Sequence, residues 1–491
     1  MRQAAGARAC SVGVSADSER GDAVVQRAVI GAKLLTARGA AMRAVSAASN
    51  IGLIFLVTPA DLGLLAVVRG VAGLAGDASD LGFAWALLRR HEIPTDAEYR
   101  ALGGVQLSIV LVFLGVTLMA PSLAGSISAT PPEWRHWMVA VLVTMLTVPF
   151  GTGARIRIER QMDYGRIARA DVSSVLLLNV ILLGFAAANR FTIGVFVATG
   201  GATLYNNLLL WFWSPGPFPG FELRAWRRLG REFAGFSLGH VGSLLNASAT
   251  PLLIAKLFGL PVAGIWSFAS RLGNLLSLAF EGFRRAAIPA AAMLARSTEG
   301  LRRLAQHSLL GSARLTLPLL TAAYIAVPII GWLLPKWAPA VPLAQVYLLG
   351  LGLAGVIGAS LVPSAVALAG PRVVIAEQFA PIAIAWTGFA ILAALGRSSV
   401  IWVVLPMHIA TAVAVWCSTA SAVRPPWSPE LRRPLLALAA VCALGVAGHL
   451  VNARPLLVAV LSAGVLLAIG LPPQATGWFG ALAMRRQAGQ P

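Results

Sequence analysis

Residues 59–83 have the sequence PADLGLLAVVRGVAGLAGDASDLGF, an apolar run that contains Arg69 and ends with Asp77 and Asp80. About 20 apolar residues are enough to cross a lipid bilayer as one helix. Hydrophobic residues make up 57% of the 491-residue chain and charged residues only 12%, whereas a soluble domain has about 25% charged residues. This composition excludes an ordinary soluble enzyme and predicts a polytopic membrane protein.

Apolar segments of similar length recur along the chain. We predict about 14 transmembrane helices. They begin near residues 29, 62, 103, 136, 166, 191, 236, 262, 306, 342, 372, 399, 431 and 455. The three cysteines, Cys10, Cys417 and Cys442, are odd in number and far apart in the sequence, so they indicate neither a disulfide framework nor a metal site.

The basic residues follow an alternating pattern that sets the topology. The chain has 39 lysines and arginines against 19 acidic residues, a formal net charge of +20. If the amino terminus is cytoplasmic, 27 of these basic residues fall in inner segments and only 5 in outer connections. Cytoplasmic loops are enriched in lysine and arginine, so we expect a multi-pass membrane protein with both termini in the cytoplasm. The net positive charge is then explained by membrane topology, and we expect no nucleic-acid partner.

A second stretch, residues 260–283, has the sequence LPVAGIWSFASRLGNLLSLAFEGF. Aligning Gly63 with Gly264 also pairs Asp80 with Glu281, which suggests two parallel repeats related by an axis along the membrane normal. The predicted fold is all-α, with two six-helix bundles in a pseudo-two-fold arrangement plus two C-terminal helices. The predicted segments are a cytoplasmic tail at 1–27, an N-terminal bundle at 28–213, a cytoplasmic amphipathic linker at 214–235, a C-terminal bundle at 236–422, and the additional pair with a tail at 423–491.

The predicted linker is basic and contains apolar residues at helical spacing. Such a segment is either a helix that lies on the inner leaflet or a solvated connection, and the residues favour neither.

Four segments resemble the polysaccharide repeat-unit flippases of the multidrug/oligosaccharidyl-lipid/polysaccharide exporter superfamily. These are FLVTPADLGLLAVV (55–68), GLAGDASDLGFAWALLRR (73–90), RIRIERQMDYGRIARAD (155–171) and LIAKLFGLPVAGIWSFASRLGNLLSLAFEGFRRAAIPAAAMLAR (253–296). The resemblance covers about residues 29 to 420. It implies a V-shaped pair of bundles around a central cavity lined by helices one, two, seven and eight. It also implies transport of an undecaprenyl-pyrophosphate-linked oligosaccharide from the cytoplasmic to the outer leaflet of a bacterial inner (cytoplasmic) membrane.

Polar residues within the spans are the candidates for the substrate site. An ionisable side chain at membrane depth costs at least about 2.5 kcal/mol on insertion scales, so it normally faces a wet cavity or a partner. Guanidinium groups bind phosphate oxygens through paired hydrogen bonds, and amides suit sugar hydroxyls. The candidates for pyrophosphate are Arg43, Arg69, Arg271 and Arg314, those for sugar are Asn50, His240, Asn246 and Asn274, and those for a coupling proton or cation are Asp77, Asp80, Glu281 and Glu377.

The same residues have a structural interpretation. Arg69 with Asp77, or Arg271 with Glu281, would then form ion pairs between or within helices rather than bind a substrate. Either role satisfies the requirement that a charge within the membrane has a partner.

No feature of the chain indicates an enzyme or a cofactor. The sequence lacks a Walker A motif, so we expect no ATP hydrolysis by this chain. The outer connections are about ten residues long or shorter, which leaves little room for the active site of a membrane glycosyltransferase or polymerase. The nearer alternatives are a peptidoglycan-precursor (lipid II) flippase and a drug/cation antiporter of the same superfamily. The expected partners are the lipid-linked substrate, membrane lipids, and the polymerase and glycosyltransferases of the same pathway.

Overall fold

The computed structural model describes residues 37–80, 94–119, 134–370 and 372–419, with isolated positions at 34, 87, 423, 424, 436, 437, 440, 441 and 444. The predicted tail at 1–27 and the spans predicted to begin near residues 431 and 455 lie outside these ranges. Within them the regular structure is helical throughout. The helices are α1 (Ala37–Leu56), α2 (Pro59–Asp80), α3 (Asp96–Met119), α4 (Arg135–Met145), α5 (Val148–Arg160), α6 (Tyr164–Ala187), α7 (Phe191–Trp213), α8 (Leu223–Leu244), α9 (Thr250–Phe258), α10 (Leu260–Met293), α11 (Thr298–Leu333), α12 (Val341–Ala369), α13 (Arg372–Ala394) and α14 (Ile401–Ser418).

Among the described residues, eleven helical segments are long and apolar enough to cross a membrane. Each coincides with one of the predicted spans. The span predicted near residue 262 corresponds to α10, a helix of 34 residues. It is not one of the eleven, because Arg271, Asn274 and several serines lower the hydropathy of its first half. The polytopic all-α prediction is confirmed, although the described ranges do not establish the count of 14.

Side-chain caps fix where two of the early helices begin. Thr58 and Asp61 form a reciprocal pair before α2: the Thr58 backbone N–H donates to Asp61 Oδ2 at 2.9 Å, and the Asp61 N–H donates to Thr58 Oγ1 at 3.3 Å. Thr95 and Glu98 repeat the arrangement before α3, with the Thr95 N–H donating to Glu98 Oε2 at 2.9 Å. Each cap satisfies donors that the first helical turn leaves without partners.

The span predicted near residue 136 is divided. Helix α4 ends at Met145 and α5 begins at Val148, with Pro149 in its first turn. Proline is tolerated there because the first backbone N–H groups of a helix have no acceptor within the helix.

The described residues form two units. The first contains Met1–Leu53, Gly82–Gly115 and His136–Glu232, so far as these are described. In it α5, α6 and α7 pack against one another around a core of Ala154, Ile158, Ile167, Ala170 and Leu210.

The second unit contains Ile54–Leu81, Val116–Arg135 and the chain from Phe233 onward. Helix α10 lies near its centre and packs on α2, α9, α11 and α12. The buried Trp337 ring stacks on Phe268 with 5.0 Å between ring centroids, and Trp337 Nε1 donates to the Ile54 carbonyl near the end of α1 at 2.9 Å. This division groups α2 with α10, whereas the predicted boundary places α2 with residues 28–213.

Helix α8 passes through the predicted linker boundary at residue 235. Residues 214–222 have no regular structure, and α8 then runs from Leu223 to Leu244. A π-helical turn, Leu245–Ala249, joins α8 to α9.

Candidate functional site

Helices α2 and α10 come into backbone contact at two glycines. A Cβ atom added to Gly63 would overlap the Leu260 carbonyl oxygen and lie 3.1 Å from Gly264 N. A Cβ atom added to Gly264 would overlap the Pro59 carbonyl oxygen and lie 3.0 Å from Gly63 N. The two contacts exchange when residue numbers are shifted by 201, the offset of the sequence repeat. Glycine is required at both positions because only a residue without a side chain allows this approach.

Two arginines lie one to two helical turns beyond this contact. Arg69 on α2 is solvent-exposed, although its neighbours Val68 and Gly70 are buried. Arg271 on α10 is half-buried, and its Nε donates to Ser267 Oγ at 3.3 Å. None of the described ion pairs includes Arg69, and the Asp77 and Asp80 side chains on the same helix lie outside the described part of the structure. Two guanidinium groups on helices in contact can bind one anion together through charge-assisted hydrogen bonds.

Two of the candidate amides are linked to the helices of these arginines, Asn246 through a turn packed on α2 and Asn274 on α10 itself. A Cβ atom added to Gly70 would lie 2.7 Å from the Ser248 carbonyl oxygen, so the π-helical turn that contains Asn246 packs on α2 beside Arg69. Asn274 follows Arg271 by three residues on α10 and is exposed. Residues three apart on a helix share a face. Single π-helical turns occur frequently at functional sites.

The remaining substrate candidates lie on other helices. Arg43 and Asn50 are half-buried on α1, and their spacing of seven residues places them on one face of that helix. His240 is half-buried on α8, and Arg314 is exposed on α11. The described contacts do not connect Arg314 with the Arg69–Arg271 pair.

The structure contains a buried carboxylate that the sequence did not single out. Asp171 on α6 is 5% exposed and pairs with both Arg38 of α1 and Arg155 of α5. Arg155 Nη1 donates to Asp171 Oδ2 at 3.2 Å, and Nη2 donates to Oδ1. Asp171 shares the buried face of α6 with Ile167 and Ser174. The spacing of four and three residues was a visible signal for this burial.

Of the four predicted coupling carboxylates, Glu377 has a described side chain. It is buried on α13 at 7% exposure, and Arg284 of α10 binds both of its oxygens at 3.0 Å each. Asp77, Asp80 and Glu281 have defined positions on α2 and α10, but their side chains lie outside the described part of the structure.

A family model described as "Polysaccharide biosynthesis protein" matches residues 53–342, more than half of the chain. The chain belongs to this polysaccharide biosynthesis family. The matched region contains Arg69, Arg271, Arg314 and the three C-terminal sugar candidates, whereas Arg43 and Asn50 precede it. A comparison of this chain with curated protein sequences finds no match.

Solved structures give the fold of this family member. The lipid II flippase MurJ in an inward closed conformation is 12% identical, with a TM-score of 0.64, and the match covers 89% of this chain and 98% of MurJ. A multidrug resistance MATE family transporter of the MOP superfamily, in an inward-facing conformation, is 13% identical with a TM-score of 0.54. That match covers 80% of this chain and 94% of the transporter. This chain therefore shares the fold of these two proteins, the second of which is a MOP superfamily transporter, in agreement with the resemblance seen in the sequence.

Proposed function

We propose that this protein is a flippase that moves undecaprenyl-pyrophosphate-linked oligosaccharide repeat units from the cytoplasmic to the outer leaflet by alternating access. The product would enter surface or exopolysaccharide biosynthesis. Family membership and the MOP fold support the general class of transporter. The observation that carries the choice of substrate is the placement of two arginines, Arg69 and Arg271, on helices in backbone contact.

A lipid-linked pyrophosphate has the chemistry that this pair requires. Its oxygens accept paired hydrogen bonds from a guanidinium group. A hydrogen bond to a charged group contributes about 1.5–3 kcal/mol. Arg69 and Arg271 would therefore bind the anion together, with Arg43 and Arg314 as further proposed contacts. A cationic drug would be repelled, which disfavours the antiporter alternative.

The sugar chain would be met by amides and an imidazole. Asn246 lies in the π-helical turn packed against α2, and Asn274 lies beside Arg271 on α10. Asn50 and His240 complete the proposed set. Amides both donate and accept hydrogen bonds, so they suit a polyhydroxylated substrate without requiring a single sugar identity.

Energy coupling would act through the carboxylates on the helices that hold the arginines. Asp77 and Asp80 lie on α2, Glu281 lies on α10, and Glu377 is joined to α10 through Arg284. A proton transferred to Glu377 would break this ion pair and release α13 from α10. Protonation of Glu377 would in this way change the packing of α10, the helix that contains Arg271.

Alternating access would require the contact between α2 and α10 to change during transport. The Gly63–Gly264 contact lies at the predicted outer ends of both helices, where it would close the path to the outer leaflet. The pathway polymerase and glycosyltransferases are the proposed partners, since they would consume the exported unit and supply the substrate.

The experiment that tests the proposal is identification of the lipid that accumulates on the inner leaflet when the protein is removed from its cells. We expect a polyprenyl-pyrophosphate oligosaccharide, measured by mass spectrometry of extracted lipids, and its disappearance when the wild-type protein is restored. Accumulation of lipid II would instead select the peptidoglycan-precursor flippase. Drug sensitivity without any change in these lipids would select the antiporter.

A further inference from the structure

The segment between α7 and α8, residues 214–222, has its backbone fixed by the first unit although it has no regular structure. Arg157 Nη2 donates to the Ser214 carbonyl oxygen at 2.9 Å, and the Gly220 backbone N–H donates to the Arg100 carbonyl oxygen at 3.0 Å. The Phe218 ring packs edge-on against Phe150 with 5.8 Å between centroids. We call residues 214–228 the connecting segment.

The connecting segment also packs closely on the start of α3. A Cβ atom added to Gly104 would overlap the Gly220 carbonyl oxygen, and one added to Gly103 would lie 3.2 Å from Pro219 Cβ. Beyond the extended part, Arg228 in the first turns of α8 pairs with the buried Glu98 of α3. These contacts hold the connecting segment in one conformation.

The connecting segment also exposes both aromatic and basic side chains. Phe218 is 69% exposed, Phe221 82% and Trp226 41%. Arg224 and Arg227 are exposed between and beside them, and Glu222 is the exposed acidic residue of the same stretch. All of them lie outside the spans Phe191–Trp213 and Leu238–Phe258. The exposed aromatics therefore lie on the connection between two spans and outside the membrane-crossing helices themselves.

We propose that Phe218, Phe221, Arg224, Trp226 and Arg227 bind the headgroups of anionic phospholipids in the same membrane. Aromatic side chains favour the membrane–water interface, and basic residues next to a span attract anionic lipids by about 1 kcal/mol each. Because the backbone is already fixed, little conformational entropy is lost when a lipid binds. This inference does not depend on the identity of the transported substrate.

The test uses the full-length protein and measures phospholipid adducts by native mass spectrometry. The probes are phosphatidylglycerol, which is anionic, and phosphatidylcholine, which carries no net charge. The double variant Arg224→Gln/Arg227→Gln is compared with Arg302→Gln/Arg303→Gln, a matched pair on α11 whose arginines are bound by Glu299. We expect the first variant to lose about 30-fold in phosphatidylglycerol affinity and the second to retain it. We expect phosphatidylcholine binding to be unchanged in both.

Three results would overturn the proposal. Retention of phosphatidylglycerol by Arg224→Gln/Arg227→Gln, or an equal loss in the α11 pair, would show that these positions do not recognise the anionic headgroup. Loss of undecaprenyl pyrophosphate binding with phosphatidylglycerol binding intact would assign the surface to the transported lipid. The thermal unfolding midpoint of both variants should equal that of the wild type, since neither position is buried. If Arg224→Gln/Arg227→Gln unfolds at lower temperature, Arg227→Gln alone gives the same comparison.

Discussion

The two arginine clusters of the described helices differ in what lies next to the guanidinium groups. In the first unit Arg38 and Arg155 converge on Asp171, a buried carboxylate. In the second unit Arg271 donates to Ser267 Oγ and lies on a helix in backbone contact with the helix that contains Arg69. An arginine that shares a carboxylate holds helices together. Two arginines on neighbouring helices are suited to bind an anion that arrives from outside the protein.

The energies of the two arrangements differ accordingly. An ion pair whose members are buried is costly to break, because removal of one partner leaves an uncompensated charge. Two guanidinium groups on neighbouring helices would instead each give an arriving anion charge-assisted hydrogen bonds. Substitutions in the first cluster should therefore change stability, whereas substitutions in the second should change transport.

The largest expected effect is on transport. Arg271→Ala or Arg43→Ala should abolish surface polysaccharide in cells while the amount of protein in the membrane stays the same. Each change removes a guanidinium group that we expect to contact the pyrophosphate. Surface polysaccharide is measured by staining or electrophoresis, with Arg302→Ala as the control, because Arg302 is partly exposed and paired with Glu299. Normal polysaccharide in the first two variants would refute the binding assignment.

The next effect is on stability and concerns the first cluster. Asp171→Asn removes the carboxylate that neutralises Arg38 and Arg155, and we expect a loss of about 3–5 kcal/mol in the free energy of unfolding. Thermal unfolding of the purified protein measures it. The matched change Asp163→Asn affects a partly exposed side chain that pairs with Arg166, so it should cost about 1 kcal/mol or less. Equal effects of the two changes would mean that Asp171 is not the structural centre of the first cluster.

The smallest of the three effects concerns the Gly63–Gly264 contact. It tests whether this contact sets the spacing between Arg69 and Arg271. Gly264→Ala would force α2 and α10 apart, since the atoms that the new Cβ meets belong to the backbone. We expect a cost of about 1–3 kcal/mol and slower transport. Gly115→Ala is the control, because a Cβ atom there meets nothing within 4 Å. Unchanged transport by Gly264→Ala would separate the glycine contact from the arginine pair.

The sequence predicts best those features of the fold and site that depend on local residue patterns alone. The apolar runs locate the spans, and the repeat identifies Gly63 and Gly264 as counterparts, which the structure brings into contact. Arg69 and Arg271 follow from the rarity of charge within apolar helices.

The contacts that sequence reasoning missed join helices or segments that lie far apart in the chain. Asp171 appears in the sequence as one acidic residue in a basic loop, and its importance comes from Arg38 on a distant helix. Glu377 is separated from Arg284 by 93 residues, so no spacing rule connects them. The docking of residues 214–222 on α3 has the same origin, because the contact of Gly104 with Gly220 joins segments far apart in the chain.

The central claim is that Arg69 and Arg271 together bind the pyrophosphate of a lipid-linked oligosaccharide. The most direct test is equilibrium binding of an undecaprenyl-pyrophosphate-linked oligosaccharide to the purified full-length protein. Arg69→Gln/Arg271→Gln is compared with the wild type and with Arg302→Gln/Arg303→Gln. The account predicts at least about 100-fold weaker binding for the first double variant, since two charge-assisted interactions are lost, and unchanged binding for the second. Equal affinity of all three proteins would contradict it.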